Sequence, residues 1–324
     1  YFKSNFSYIF PSTVIFLLIS ISLSGCLSMI STNQEVLEDP LVNSSSDDFI
    51  LCMDHEDMNR CWNVYIPAEM NGTTKIPMII DLHGNTLTME MQRELSDFDE
   101  IADMHGAIAI FPQGFNNSWN AGYCCSSAGE MGLNDVEFIT LIVEQMVDNF
   151  PVDDSRIYLT GWSNGCALSQ KLANERSNIF AAIGCMSYYL LDDPSPEYSP
   201  IPIMEVHGIV DPLILYSNDA VHLSNTDAQE HGAIQNMVQW SQMNNCSNST
   251  PDVNTPTTFY SIQGYTDCEG DTKVMLVSLY SGNHNPYEND NDFFPGNGGT
   301  VDVNGIVWNF LSQFSKMNLD NSTK

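Results

Sequence analysis

Residues 156–173 read Arg156-Ile157-Tyr158-Leu159-Thr160-Gly161-Trp162-Ser163-Asn164-Gly165-Cys166-Ala167-Leu168-Ser169-Gln170-Lys171-Leu172-Ala173, and they decide the fold. The first five residues, with Ile157, Tyr158 and Leu159 in succession, make a run that reads as a buried strand. The last eight contain no Gly or Pro and space their apolar residues as a helix does. Between them Gly161-Trp162-Ser163-Asn164-Gly165 fits G-x-S-x-G, the pattern of a sharp strand-to-helix turn that leaves a serine hydroxyl exposed at the edge of a sheet. Such a turn crowds the backbone, and glycines two before and two after the serine remove the side chains that would collide. Ser163 is therefore the candidate nucleophile.

Working outward, apolar strands and helical stretches alternate. Ile76 to Gly84 and Gly106 to Pro112 read as strands covered on both faces, Met89 to Met104 and Asp135 to Asn149 as helices, and Phe180 to Met186 as a further strand. Phe49 to Met53 and Trp62 to Pro67 are spaced to pair as a hairpin. This alternation predicts an α/β fold: a doubly wound, mostly parallel sheet with helices on both faces. Two later strands end in polar residues, Ile203 to Gly208 before Asp211-Pro212 and Lys273 to Tyr280 before Gly282-Asn283-His284. Residues just past the carboxyl ends of parallel strands converge on one crevice, so Asp211 and His284 become candidates beside Ser163.

The order Ser163, Asp211, His284 is the nucleophile, acid, base order of α/β-hydrolases. In that arrangement His284 takes the serine proton and returns it to the leaving group, while Asp211 fixes the imidazole tautomer. Of the other histidines, His55, His105, His222 and His231 are not at the end of a core strand, His207 lies within one, and His83 sits beside a glycine turn. A tetrahedral intermediate also needs main-chain donors for its oxyanion. The N–H groups of Asn164 and of Asn85, in His83-Gly84-Asn85, are placed for that task.

The chain has 324 residues, with 10 Lys and Arg against 41 Asp and Glu, a net charge of −31. A surface so negative repels polyanions, which excludes nucleic acid and disfavours anionic lipid surfaces. Residues 1–26 read as an export signal in which Leu23-Ser24-Gly25-Cys26 resembles a lipobox with Cys26 as the lipidated residue, so any membrane attachment would be through that anchor. Residues 27–48, rich in Ser, Asn, Asp and Glu, read as a disordered tether, and residues 49–318 as the catalytic domain. The expected location is extracytoplasmic, secreted or anchored to the outer face of the cell membrane. Eight further cysteines fit disulfides in an oxidising compartment, with Cys246–Cys268 and Cys52–Cys61 the expected pairs. No CxxC pair occurs, so no metal site is expected.

Taken together, Leu82-His83-Gly84, Phe111-Pro112-Gln113-Gly114, Ser118-Trp119-Asn120-Ala121-Gly122 leading into Cys124-Cys125, Asn134-Asp135-Val136-Glu137-Phe138, the serine turn, His207-Gly208 with Asp211-Pro212, and Gly282-Asn283-His284 form a recognisable set. From about Trp62 to Phe314 the chain resembles exported esterases related to polyhydroxybutyrate depolymerases and to feruloyl and acetylxylan esterases of the first carbohydrate-esterase family. The resemblance implies a serine esterase without cofactor, with Ser163, Asp211 and His284 as its triad. Two loops depart from the family's pattern: Asn85-Thr86-Leu87-Thr88 stands where a glycine-rich stretch is usual, and Asn285-Pro286-Tyr287 where Trp-Pro-Gly is usual. Both border the site, so they leave the reaction class and put the substrate in question. A serine peptidase and a binding lipoprotein without turnover are the competing readings. Trp119, Trp162 and Tyr287 are expected to line a cleft for rings, which favours a short or aromatic acyl ester on a polysaccharide, or a polyester, over a long fatty chain. The Pro-punctuated segment Leu190 to Pro202 makes a poor lipid-binding cover.

Overall fold

A computed structural model describes residues 46–68, 74–122, 124, 126–217, 232–292 and 294–316, all within the compact unit Pro40–Lys324. The expected signal segment, Cys26 and nearly all of the tether lie outside the described residues. The chain opens with Asp47–His55 (β1) and Met58–Ile66 (β2), so the sheet begins two residues before the expected start of the domain. These strands form an antiparallel hairpin closed by Glu56 and Asp57, at φ 52° and 59°, the left-handed pair that a two-residue hairpin turn requires. In this register Cys52 faces Cys61 directly, and the two are bonded.

Ile76–Leu82 (β3) is buried along its whole length. Met78, Ile80 and Leu82 pack on one face of the sheet and Ile79 on the other, the alternation of a strand with helices on both sides. The run Met89 to Met104, expected as one helix, is two: Met89–Ser96 (α1) and Phe98–His105 (α2). Between them Asp97 is left-handed at φ 50°, its N–H closes α1 on the Arg93 carbonyl, and its side chain accepts from Asn289 Nδ2 at 2.5 Å. Aspartate tolerates that conformation better than most residues, and the tie to Asn289 is a tertiary contact without a local sequence signal.

Next come Ile108–Pro112 (β4), Ser126–Met131 (α3), Asp135–Asn149 (α4), Val152–Gly161 (β5), Asn164–Glu175 (α5), Ala182–Met186 (β6) and Ile203–Gly208 (β7). After them follow Ala233–Met243 (α6), Val253–Pro256 (β8), Tyr260–Tyr265 (β9), Val274–Leu279 (β10) and Val303–Leu311 (α7). The sheet has the order β1-β2-β4-β3-β5-β6-β7-β10-β9-β8. Its six central strands are parallel, and an antiparallel pair finishes each edge. Phe138 and Ile142 of α4, Leu168 and Leu172 of α5 and Met237 and Trp240 of α6 cover one face; Leu95, Phe98, Ile101, Val307 and Leu311 of α1, α2 and α7 cover the other. Among the described residues no helix is long and apolar enough to cross a membrane.

Among the described residues disulfides fasten at least three places. Cys166 of α5 is bonded to Cys185 of β6, a buried pairing that spacing gave no reason to expect. Cys246, just past α6, is bonded to Cys268 and closes the segment that contains β8 and β9. The segment Leu190 to Pro202 is tied down rather than lying open as a cover: Asn174 Nδ2 donates to the Asp193 carbonyl, Lys171 Nζ to Asp192, and the Ile201 N–H to Asn244. Constraint on the unfolded chain is the main contribution of a crosslink spanning 22 residues. Replacing Cys246 and Cys268 together by Ser should lower unfolding free energy by about 3 kcal/mol, read as a lower urea midpoint with a somewhat steeper slope, because the uncrosslinked chain exposes more surface when it unfolds.

Candidate active site

The crevice is built on the turn that ends β5. Ser163 has φ 54° and ψ −121°, a conformation L-residues rarely adopt, and it is held there because its N–H donates to the Met186 carbonyl of β6 at 2.8 Å while the turn is pressed against the end of β3. The pressure is severe. A Cβ on Gly165 would lie 2.0 Å from the Leu82 carbonyl oxygen, and one on Gly161 would lie 2.8 Å from the same oxygen, so both glycines of the motif are required by sterics. Helix α5 starts at the residue after the serine, leaving the Asn164 N–H without a helical partner.

His284 reaches the turn from the loop after β10. Its Nε2 is 2.9 Å from Ser163 Oγ and its Nδ1 is 2.8 Å from Asp211 Oδ2. A carboxylate only accepts, so Nδ1 carries the hydrogen and Nε2 is left with the lone pair that can take the serine proton. Asp211 Oδ1 accepts from the N–H groups of Leu213 and Ile214 at 2.8 and 2.9 Å. Burial alone would push the Asp211 carboxyl up, but hydrogen bonds from His207 and His284 hold it well below the usual carboxylate range.

The loop after β3 faces the serine from the other side. His83 is fully buried: its Nδ1 lies 2.8 Å from the Gly84 carbonyl and its Nε2 accepts from the Gly114 N–H at 2.8 Å. One acceptor and one donor demand one hydrogen, so the ring is neutral, and burial holds its pKa down at about 4. Thr86 N–H is taken by the Asn117 carbonyl and Leu87 N–H by that of Gly84, whereas among the described residues neither the Asn85 nor the Asn164 N–H has an acceptor. These are the two donors that the sequence nominates for an oxyanion. The Asn164 side chain has a role the sequence did not disclose. Its Oδ1 accepts from the Trp119 N–H at 2.7 Å and its Nδ2 donates to the Trp119 carbonyl at 3.1 Å, pinning the 118–120 loop to the turn.

Comparison with known proteins identifies the family. The sequence profile of the family described as "Esterase PHB depolymerase" matches residues 60–275, two thirds of the chain. The chain belongs to that esterase family. It is 26% identical over 262 residues to feruloyl esterase B of Piromyces equi, and 23% identical over 253 residues to a bifunctional acetylxylan esterase/xylanase of Neocallimastix patriciarum. Each alignment covers 78% of this chain but only 45% and 33% of the relative, so the chain spans less than half the length of either. Among solved structures, acetyl xylan esterase from Aspergillus awamori superposes with a TM-score of 0.56 at 16% identity, covering 73% of this chain and 94% of that one. The fold is that of the α/β-hydrolases, as the sequence predicts.

Within this esterase family scaffold the three aromatic residues expected to line a cleft do not line one. Trp119 is fully buried, its indole donating to the His83 carbonyl and its ring 4.7 Å from that of His83. Trp162 is 3% exposed; its indole donates to the His284 carbonyl at 2.6 Å, and its ring fills the space where a side chain on Gly84 would sit, at 2.8 Å. Trp162 thus wedges the His83–Asn85 loop against the His284 loop. Tyr287 is also fully buried, its hydroxyl accepting from Gln92 Nε2 at 3.0 Å. An indole or phenol with one polar atom suits a buried hydrogen bond as well as it suits a ring platform, and here the core has claimed all three. The exposed apolar surface lies elsewhere on the rim: Ile209, Val210 and Leu213 flank Asp211, and Phe259 and Tyr280 stand at the end of β10. Backbone bonds join these into one strip, from Ile209 N–H to Leu279, Val210 N–H to Gly282 and Tyr280 N–H to Phe259. Among the described residues no group of three or more His, Cys, Asp or Glu could hold a metal ion.

Asp81, at the end of β3, ties this crevice to α1. Its oxygens accept from Gln92 Nε2 at 3.0 Å and Ser96 Oγ at 2.6 Å, and burial pushes its pKa up to about 7. A carboxyl whose folded pKa is raised contributes stability that is present below its ordinary value near 3.8 and is lost as pH rises through about 7. Asp81→Asn cannot ionise. Its melting temperature relative to the parent should therefore rise between pH 5 and pH 8, and a difference constant across that range would contradict the assignment.

Proposed function

We propose that the chain hydrolyses carboxylic esters through an acyl-enzyme on Ser163, and the observation that carries this is the 2.9 Å approach of His284 Nε2 to Ser163 Oγ on a strained turn. His284 takes the hydroxyl proton as Oγ attacks the ester carbonyl. The imidazolium that forms is stabilised by the Asp211 carboxylate at Nδ1. Charge appears on the former carbonyl oxygen, where the N–H groups of Asn85 and Asn164 stabilise it. His284 then hands its proton to the departing alkoxide, and water repeats the sequence in reverse to release the acid.

The substrate class follows from the rim, the charge and the relatives. Proteins similar to this chain are named as feruloyl and acetylxylan esterases, and a net charge of −31 favours a neutral polymer over an anionic one. The strip Ile209, Val210, Leu213, Phe259 and Tyr280 takes the place of the buried tryptophans as the surface that an aromatic acyl group or the flanking polymer meets. The disulfides Cys52–Cys61, Cys166–Cys185 and Cys246–Cys268 fit work outside the cytoplasm, on short-acyl or feruloyl esters of a polysaccharide.

Ser163→Ala should abolish cleavage of p-nitrophenyl acetate by at least about four orders of magnitude without changing the melting temperature much. Running p-nitrophenyl esters of rising chain length beside methyl ferulate, acetylated xylan and aminoacyl nitroanilides places the substrate. Turnover of the nitroanilides alone would point to a peptidase, and no turnover of any substrate to a binding protein. Leu213→Asp, which puts a charge on the rim, should raise KM for methyl ferulate several-fold while leaving kcat on p-nitrophenyl acetate near the parent's value.

A further inference from the structure

Behind Asp211 lies a second histidine that the reaction as described does not use. Glu205 and His207 alternate with Val206 on β7, so both project from the same face of the sheet, and both are buried, His207 completely. His207 Nδ1 is 2.6 Å from Glu205 Oε1, and His207 Nε2 is 2.9 Å from the Ile214 carbonyl oxygen. A carboxylate and a carbonyl both only accept. Two acceptors on the two ring nitrogens demand two hydrogens, so this ring is the imidazolium. The same Nε2 lies 3.5 Å from Asp211 Oδ2, the oxygen that His284 uses.

We propose that His207 is a positioning residue for hydrolysis: its buried imidazolium, clamped by Glu205 and the Ile214 carbonyl, keeps Asp211 ionised and its Oδ2 directed at His284. This rests on the ester-hydrolase reading above and adds a residue to it. A lone carboxylate this deeply buried is costly unless a cation faces it, and in the resting enzyme the triad supplies none, because His284 is then neutral. His207 supplies it. Glu205 holds that charge in place and is itself held, its Oε2 accepting from Asn236 Nδ2 of α6 at 2.6 Å, while Asn236 Oδ1 accepts from the Leu190 N–H.

The titratable groups facing His207 are Glu205 on its own strand, Asp211 on the following loop, and Tyr216, whose ring centre lies 6.0 Å away and whose hydroxyl is paired with Ser278 of β10. Burial alone would lower the His207 pKa, but the hydrogen bonds and charges of the two carboxylates raise it to about 10, in keeping with the geometry. The ring therefore stays charged wherever His284 must be neutral to act. That separation allows one crevice to hold a fixed cation and a working base.

The test uses His207→Gln and the double variant Glu205→Gln/His207→Gln, the second of which removes the Glu205 charge together with its partner, leaving Asp211 as the one buried carboxylate of the cluster, should the first fold poorly. In both, kcat on p-nitrophenyl acetate should fall at least about tenfold with KM little changed. In His207→Gln, Glu205 and Asp211 would be left to stabilise the His284 imidazolium, so the acid limb of kcat/KM should move to higher pH. In the parent at pH 8, nitrogen-15 spectra should show one of the seven histidines with both ring nitrogens protonated, a signal that His207→Gln removes. A double variant with the parental kcat and pH profile, or no doubly protonated histidine at pH 8, would overturn the proposal. If Ser163→Ala stays active, the hydrolase reading itself fails; if it is inactive while both His207 variants match the parent, only the positioning role does.

Discussion

The carbonyl of Leu82 is the fixed point of this molecule. It ends β3, and the turn that follows β5 must pass so close to it that only hydrogen fits at Gly161 and Gly165. That closeness sets the φ of Ser163, brings the Ser163 N–H onto β6, and starts α5 one residue later. Three parallel strands are thereby locked around one hydroxyl. The strain at Ser163 persists because packing on both sides overdetermines it: α5 is buried along most of its length and is fastened to β6 by Cys166–Cys185. A hydroxyl held this way has few conformations to lose, which is what the proposed role of Ser163 as nucleophile calls for.

Three buried histidines meet three different sets of partners, and in each the partners decide what the ring can do. His83 meets one donor and one acceptor and is neutral, which suits a residue that shapes a loop of main-chain donors. His284 meets one carboxylate and one hydroxyl, so its state is free to change during a reaction. His207 meets two acceptors and is charged. Burial is common to all three and so cannot be the discriminating cause; hydrogen-bond complementarity is. A net charge of −31 over the chain does not dictate these states either, since each ring is walled off from bulk solvent and sees only its immediate neighbours.

Much of this was legible in the sequence because parallel strands covered on both faces must be apolar throughout. β3, β4 and the end of β5 therefore stand out as runs, and the polar residues just beyond them stand out as candidates. Ser163, Asp211 and His284 are separated by tens of residues, yet each follows such a run, and the topology brings them within hydrogen-bond distance. What stayed hidden depends on side chains meeting across elements. The break at Asp97 answers to Asn289, the pairing of Cys166 with Cys185 to the packing of α5 on β6, and the clamp on His207 to Glu205 and Asn236. No periodicity records such meetings.

The misplaced tryptophans show where pattern reading and physics part. Trp162 adjoins Ser163 in sequence and Trp119 meets the same turn in space through Asn164, and such proximity alone suggests contact with a ligand. Yet each indole N–H is spent on a backbone carbonyl, of His83 and of His284, and each ring fills space between two loops. Trp162 holds the loop of His83–Asn85 and the loop of His284 at one separation, and Trp119 fastens the first of them to the 118–120 loop. A ring that moved aside for a substrate would release both loops at once. The exposed side chains of Ile209, Val210, Leu213, Phe259 and Tyr280 are of another kind: backbone bonds hold Ile209, Val210, Phe259 and Tyr280, and Asp211 holds the Leu213 N–H, so a change of side chain there costs the scaffold little. On the proposed ester-hydrolase reading, substitutions at these exposed side chains would alter substrate preference while leaving the contacts among Ser163, His284 and Asp211 intact.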